Sequence, residues 1–284
     1  MSEIEALLMA FGPDDVRRET QRETRFWACP LSRTARAAVL SVLLLFGGWW
    51  AVSHAGIVPA LFLPTPEAVA AQAVHVWTEG FVDATLAQHV WASLWRVLLA
   101  VAVAVLAAVP AGIALGLSPV ARGVLEPVIE FYRPIPPLAY LPLIVIWFGI
   151  GELSKVLLIA LAVFAPVVIA TAAGVRSVDP ERVNAARSLG ATRGQVVRLV
   201  VLPSALPDIL TGIRIGLGAG WSTLVAAELV AATRGLGFMV QSAAQFLVTD
   251  VVVLGILVIA AVAFALEILV RTAQRLLVPW QGRQ

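Results

Sequence analysis

The sequence predicts an all-α integral membrane protein, with six transmembrane helices and a helical hairpin on the cytoplasmic face. Three observations predict it. Of the 284 residues, 60% are apolar and 13% charged, at a mean hydropathy of +0.91, whereas about a quarter of a soluble domain is charged. Six stretches offer about 20 mostly apolar residues each, the length of a bilayer crossing. The basic residues gather at alternate ends of those stretches, as they do in cytoplasmic segments.

The spans fall at residues 37–54, 93–117, 124–150, 153–175, 206–230 and 251–270. Residues 1–36 then form an N-terminal cytoplasmic tail, 37–271 the transmembrane domain and 272–284 a C-terminal cytoplasmic tail. The third span is interrupted by Glu126, Glu130, Arg133 and the prolines of RPIPPLAYLP. A cleavable signal ending at Ala55 competes for the first span, but the charged leader before the apolar run is too long for one.

Orientation follows from the arginines. Arg17, Arg18, Arg22, Arg25, Arg33 and Arg36 precede span one, and Arg122 lies between spans two and three. Arg176, Arg182, Arg187, Arg193 and Arg198 lie between spans four and five, and Arg271, Arg275 and Arg283 follow span six. Only Lys155 and Arg234 fall in the opposite loops, so both termini are expected in the cytoplasm. The net charge of +2 reflects this asymmetry and gives no sign of a nucleic-acid partner. Cys29 is the lone cysteine, which excludes an internal disulfide. His54, His75 and His89 lack metal-ligand spacing and no nucleophile has a credible base, so no metal or catalytic site is expected.

Residues 179–203 read as helix, turn, helix. Asp179 caps a first helix that opens on Pro180, with Glu181 in its first turn. Gly190 stands where a left-handed C-terminal residue is needed. Thr192 and Gln195 form a capping box for a second helix that stops near Pro203. Ala185, Ala186 and Gly190 leave a surface that another backbone can approach, with Arg187 and Ser188 beside it. A solvated loop that merely sets topology is the plainer alternative.

The pattern of Ala185, Ala186, Gly190, Val200, Leu202 and Pro203 resembles the cytoplasmic signature of permease subunits from bacterial binding-protein-dependent ABC importers, with Asn184 where a glutamate is usual. The resemblance runs over residues 30–280, and the stretches from Leu117 to Glu152 and from Gly216 to Ala243 look like the taurine permeases of a group that also imports alkanesulfonates, nitrate, bicarbonate and thiamine precursors. It implies that the hairpin is a coupling helix, docked on a separate ATP-hydrolysing subunit where ATP and Mg2+ act, so that this chain binds no cofactor and is not an enzyme. It also implies a homodimer with two ATPase subunits, a periplasmic binding protein and residence in the bacterial inner membrane. GAGWST, Gly218 to Thr223, lacks the lysine and strand of a phosphate loop, consistent with ATP being handled elsewhere.

Gly212, Gly216 and Gly220 recur every fourth residue on span five and read as a close-packing face. Ionisable groups at membrane depth are costly and point to function. Glu126, Glu130 and Arg133 share a helical face and can neutralise one another, or Arg133 can meet a passing sulfonate. Glu228 can meet an ammonium group or anchor the following turn through Arg234. Tyr140, Trp147 and Trp221 line a pathway or mark the membrane interfaces. An autonomous ion-coupled transporter is the rival class; it would use broken helices and midplane polar residues, but gives the hairpin no role.

Overall fold

The computed structural model describes residues 33–279. The expectations for residues 1–32, with Cys29, and for Arg283 fall outside them. The chain divides after Pro59 into two units. The first contains α1 (Arg33–His54), whose last turn is closed by a Ser53 hydroxyl and a His54 ring, each bonded to the Trp50 carbonyl at 3.0 Å.

The second unit begins with α2 (Pro66–Thr78), capped by Thr65, and α3 (Leu86–Leu117), opened by a reciprocal Thr85/Gln88 capping box. Ser118 then caps α4 (Pro119–Tyr132), which starts on a proline whose missing N–H costs nothing in the first turn. A 3-10 turn (Pro137–Tyr140) leads into α5 (Leu141–Phe148). After it come α6 (Glu152–Arg176), α7 (Pro180–Ser188) and α8 (Arg193–Val196). A π turn (Val197–Val201) joins α8 to α9 (Leu202–Ala231), and α10 (Leu236–Gln245) and α11 (Thr249–Leu277) complete the described chain.

The centre of this unit is α6. Within its most apolar window 61% is buried, against 28% for α3, 28% for the α8–α9 span and 22% for α11. It is clasped by α3 and α9, and the glycines explain how. A Cβ on Gly212 would lie 2.6 Å from the Cβ of Ala170, and one on Gly220 2.7 Å from Val163. From the other side, a Cβ on Gly112 would lie 2.5 Å from Thr171. Lipid tails are as apolar as leucine, so helices gain by fitting closely, and the absence of side chains permits that fit. The glycine face expected on span five is therefore a packing face against α6.

Four described helices are long and apolar enough to cross a membrane, and the bent pair of α4 with Pro137–Phe148 makes a fifth. The sixth expected span lies in α1, whose apolar part, Val39–His54, is shorter than the about 20 residues of a full crossing. The third span is bent by 89°. Pro134, Pro136 and Pro137 have no N–H to continue the ladder, and each disfavours helix in the residue before it, so α4 ends where they begin.

The fifth span needs a correction at Pro203. The hairpin's second helix does not stop there but runs on, and residues Arg193–Val230 form one apolar span of 38 residues. The π turn is the reason: the Leu202 N–H bonds to the Val197 carbonyl five residues back, which brings Pro203 into the first turn of the new register, where its missing donor is harmless. Likewise α11 continues to Leu277, beyond the expected edge of the transmembrane domain at 271.

Candidate functional site

The hairpin is built as its local signals require. The Asp179 carboxylate accepts from the Glu181 N–H at 2.8 Å, and Thr192 and Gln195 cap each other's backbone. Between them Gly190 adopts φ +83°. The Gly190 N–H bonds to the Arg187 carbonyl at 2.9 Å and the Ala191 N–H to the Ala186 carbonyl at 3.1 Å, the pair of bonds that closes a Schellman turn. Beneath lies a small apolar core of Val175, Val196, Val201, Ala205 and Ile209, on which Val183, Ala186 and Ala191 pack.

Asn184, Ala185, Arg187, Gly190 and Pro203 are exposed. Ala186 is not part of that open surface: it is half-buried against the hairpin's own core. Leu189, which the sequence reading passed over, is 88% exposed at the tip. A leucine between a helix end and an obligatory left-handed glycine was the available signal.

The break after α4 is the second feature. The Tyr132 hydroxyl donates to the Leu161 carbonyl, and Leu161 lies roughly 14 Å along α6 from its start, near mid-membrane. Irregular backbone at that depth is tolerated where it is buried in protein or lines a cavity. A cavity of about 440 Å³ does lie there, bounded by Tyr132, Arg133 and Pro137 of the break, by Leu161 and Pro166 of α6, and by Ile215 and Ala219 of α9. Arg133 also borders a second space of about 110 Å³ with Glu126, Glu130 and Arg176.

The mutual neutralisation of Glu126, Glu130 and Arg133 is not what the structure contains. Glu126 pairs across to Arg176 on α6 at 3.7 Å, and among the described residues Arg133 forms no ion pair with Glu130. Arg133 is the capping residue at the very end of α4, beside the cavity. Tyr140 is half-buried with its ring centroid 6.3 Å from that of Tyr132. Trp147 is 65% exposed at the end of α5, and Trp221 is buried on α9 with its indole N–H unpaired among the described residues. Neither tryptophan lines the 440 Å³ cavity.

At the end of the bundle away from the hairpin, Glu228 is fully buried and committed to internal partners. It accepts from Arg96 Nη1 at 2.6 Å, from the Ser93 hydroxyl at 2.8 Å and from the Gly237 N–H at 2.9 Å. No face of it is left for an ammonium group. It does anchor the chain entering α10, directly at the Gly237 N–H and through Arg96, whose guanidinium also donates to the Arg234 carbonyl at 2.6 Å; among the described residues the Arg234 side chain forms no ion pair with it. The rest of the Arg96 guanidinium forks onto Glu152 at 2.5 and 2.8 Å, and Glu152 accepts from Lys155 at 2.8 Å. Lys155, expected in a loop, is buried in the first turn of α6. The Gly235 N–H donates to His89 Nδ1, which leaves Nε2 to carry the ring proton toward the Phe81 carbonyl.

An all-α chain with several membrane-crossing helices, one broken beside a mid-membrane cavity, and a capped hairpin projecting between two spans defines a multi-pass membrane permease. Residues 100–283 match the family described as "binding-protein-dependent transport system inner membrane component", and the chain belongs to that family. It is 59% identical over 257 residues to the taurine transport system permease protein TauC of Escherichia coli K12, covering 90% of this chain and 94% of that one. It is 38% identical over 232 residues to the putative aliphatic sulfonates transport permease protein SsuC of the same organism, covering 82% and 87%. Among solved structures it shares its fold with an amino acid ABC transporter, at a TM-score of 0.56 and 22% identity over 74% of this chain and 96% of that one. The inward-facing methionine ABC transporter MetNI has a TM-score of 0.55 at 22% identity, covering 66% and 95%.

Proposed function

We propose that this chain is the permease subunit of an ATP-driven importer that carries taurine, or a closely related sulfonate, across the bacterial inner membrane. The observation that carries the cargo assignment is the 59% identity to the taurine permease over nearly the full length of both chains. The geometry agrees with it. A sulfonate is a compact anion, and Arg133 presents a guanidinium, without a carboxylate partner among the described residues, to a cavity large enough for a molecule of that size. A planar fork of donors suits an oxyanion.

In this reading two copies of the chain enclose one pathway on a two-fold axis. Two ATPase subunits hold ATP and Mg2+ and dock on the two hairpins, a periplasmic binding protein delivers the cargo, and both termini face the cytoplasm. ATP must bind one conformation of the assembly more tightly than the other for its hydrolysis to drive alternation. The continuous helical connection from the hairpin through the π turn into α9, which packs along α6 and the cavity, gives that difference a route to the cargo.

The test is uptake of labelled taurine by cells expressing this chain with its ATPase and binding protein, challenged by unlabelled competitors. Taurine and short alkanesulfonates are expected to compete, and nitrate and bicarbonate are not. Uptake of nitrate without taurine would remove the cargo assignment.

A further inference from the structure

Antiparallel contact between α9 and α11 creates a third space, which runs from the middle of α9 to the C-terminal end of α11. Gln274 donates to the Thr211 hydroxyl at 3.4 Å, and Glu267 accepts from Arg214 at 2.5 Å and from Arg271 at 3.2 Å. Above these bonds lies a cavity of about 410 Å³ lined by Arg214, Arg271, Gln274, Arg275, Val278 and Pro279. Three arginines line the cavity, and two of them share one carboxylate. Both contacts to Glu267 fall on the same oxygen, Oε1, and Arg275 forms no ion pair among the described residues.

The depth of this space narrows what it can hold. Phe264, Ile268 and Leu269 on one side of it along α11, and Leu276 and Leu277 on the other, are 48–75% exposed, as is Ile215 on α9 at 59%. Arg214 lies deep, beside the Ile215 that borders the mid-membrane cavity, whereas Arg271 and Arg275, in the last two turns of α11, sit within the apolar belt where a bilayer passes from tails to headgroups. Basic pockets between helices at that level recognise lipid phosphates.

We propose that this cavity binds the phosphodiester headgroup of an anionic phospholipid, with Arg271 and Arg275 on the phosphate, Arg214 at the deeper end of the cavity and the exposed flank of α11 along the acyl chains. This assignment does not depend on the cargo. The purified full-length protein, delipidated in detergent, is offered phosphatidylglycerol or phosphatidylcholine, and retained lipid is counted by native mass spectrometry. Phosphatidylglycerol is expected to be retained over phosphatidylcholine, and Arg275→Gln to weaken its retention about five-fold, the effect of one surface cation. Arg275→Lys should keep most of it, and Arg193→Gln, which removes the same charge from the hairpin, should leave it unchanged. Excess inorganic phosphate should not displace the lipid. Equal retention of the two lipids, or an equal loss in Arg193→Gln, would overturn the proposal. So would displacement by inorganic phosphate, which marks a free-anion site, or an altered oligomeric state in Arg275→Gln with lipid retention intact, which marks a contact between copies.

Discussion

Arg96 and Glu228 stand 132 residues apart in the chain and share a 2.6 Å bond between two buried side chains. Through that bond and its extensions to Glu152, Ser93 and Gly237, the ends of α3, α6 and α9 and the start of α10 are joined. Removing one buried charge strands the other, at a cost of about 3–5 kcal/mol.

Arg96→Leu should therefore lower the thermal midpoint of the purified protein sharply. Arg96→Leu with Glu228→Leu should recover more than half of the loss, because neither charge is then left alone. Thermal unfolding in detergent measures both, and a single variant as stable as the parent would show that the pair is not a lock.

The glycine face of α9 gives an internal contrast. Gly212 has no room for a Cβ beside Ala170, whereas Gly218, on the same helix, has open space. Gly212→Val should destabilise by about 1–3 kcal/mol through overpacking, and Gly218→Val should be near neutral. The same unfolding measurement decides it, and equal effects at the two positions would refute the close-packing reading.

The features legible in the sequence were those with short-range causes. Asp179, Thr192 with Gln195, and Gly190 act within a few residues, so their caps and turn could be read directly. The four-residue period of Gly212, Gly216 and Gly220 marked a face without naming its partner, α6. By contrast, Arg96 meets Glu228 only because α3 and α9 are brought together, and no local pattern encodes that. Pro203 looked like a stop because a proline interrupts an α ladder. The π turn before it shifts the register by one residue, a choice made by the packing of Val196 and Val201 into the hairpin core. The prolines after Arg133 announced a break but not its 89° angle.

At that break, Arg133→Ala should cut taurine uptake at least ten-fold while folded protein and ATPase association stay normal, since the side chain forms no ion pair among the described residues. Arg133→Lys should fall between, keeping the charge and losing the fork. Adding Glu130→Ala to Arg133→Ala should not restore uptake, because the two are not paired. Restored uptake in the double variant would mean that Arg133 serves only to neutralise Glu130.

Coupling is tested most directly at Gly190. Its φ of +83° lies in the left-handed region, and no other group stands within 4 Å of where a Cβ would be. The penalty for substitution is thus one of backbone and not of crowding: about 1 kcal/mol or more for most residues, larger for a β-branched one, and least for asparagine. Gly190→Val should leave the protein abundant in the membrane, because the spans are untouched, but should distort the Schellman turn, reduce copurification with the ATPase and abolish uptake. Gly190→Asn should retain most of both. Ala186→Asp should resemble Gly190→Val for a different reason, since Ala186 packs on the hairpin core and a carboxylate there would be half-buried without a partner. Membrane abundance, ATPase copurification and uptake are measured for all three. If valine at 190 copurified and transported as well as asparagine, the shape of this turn would have no part in coupling.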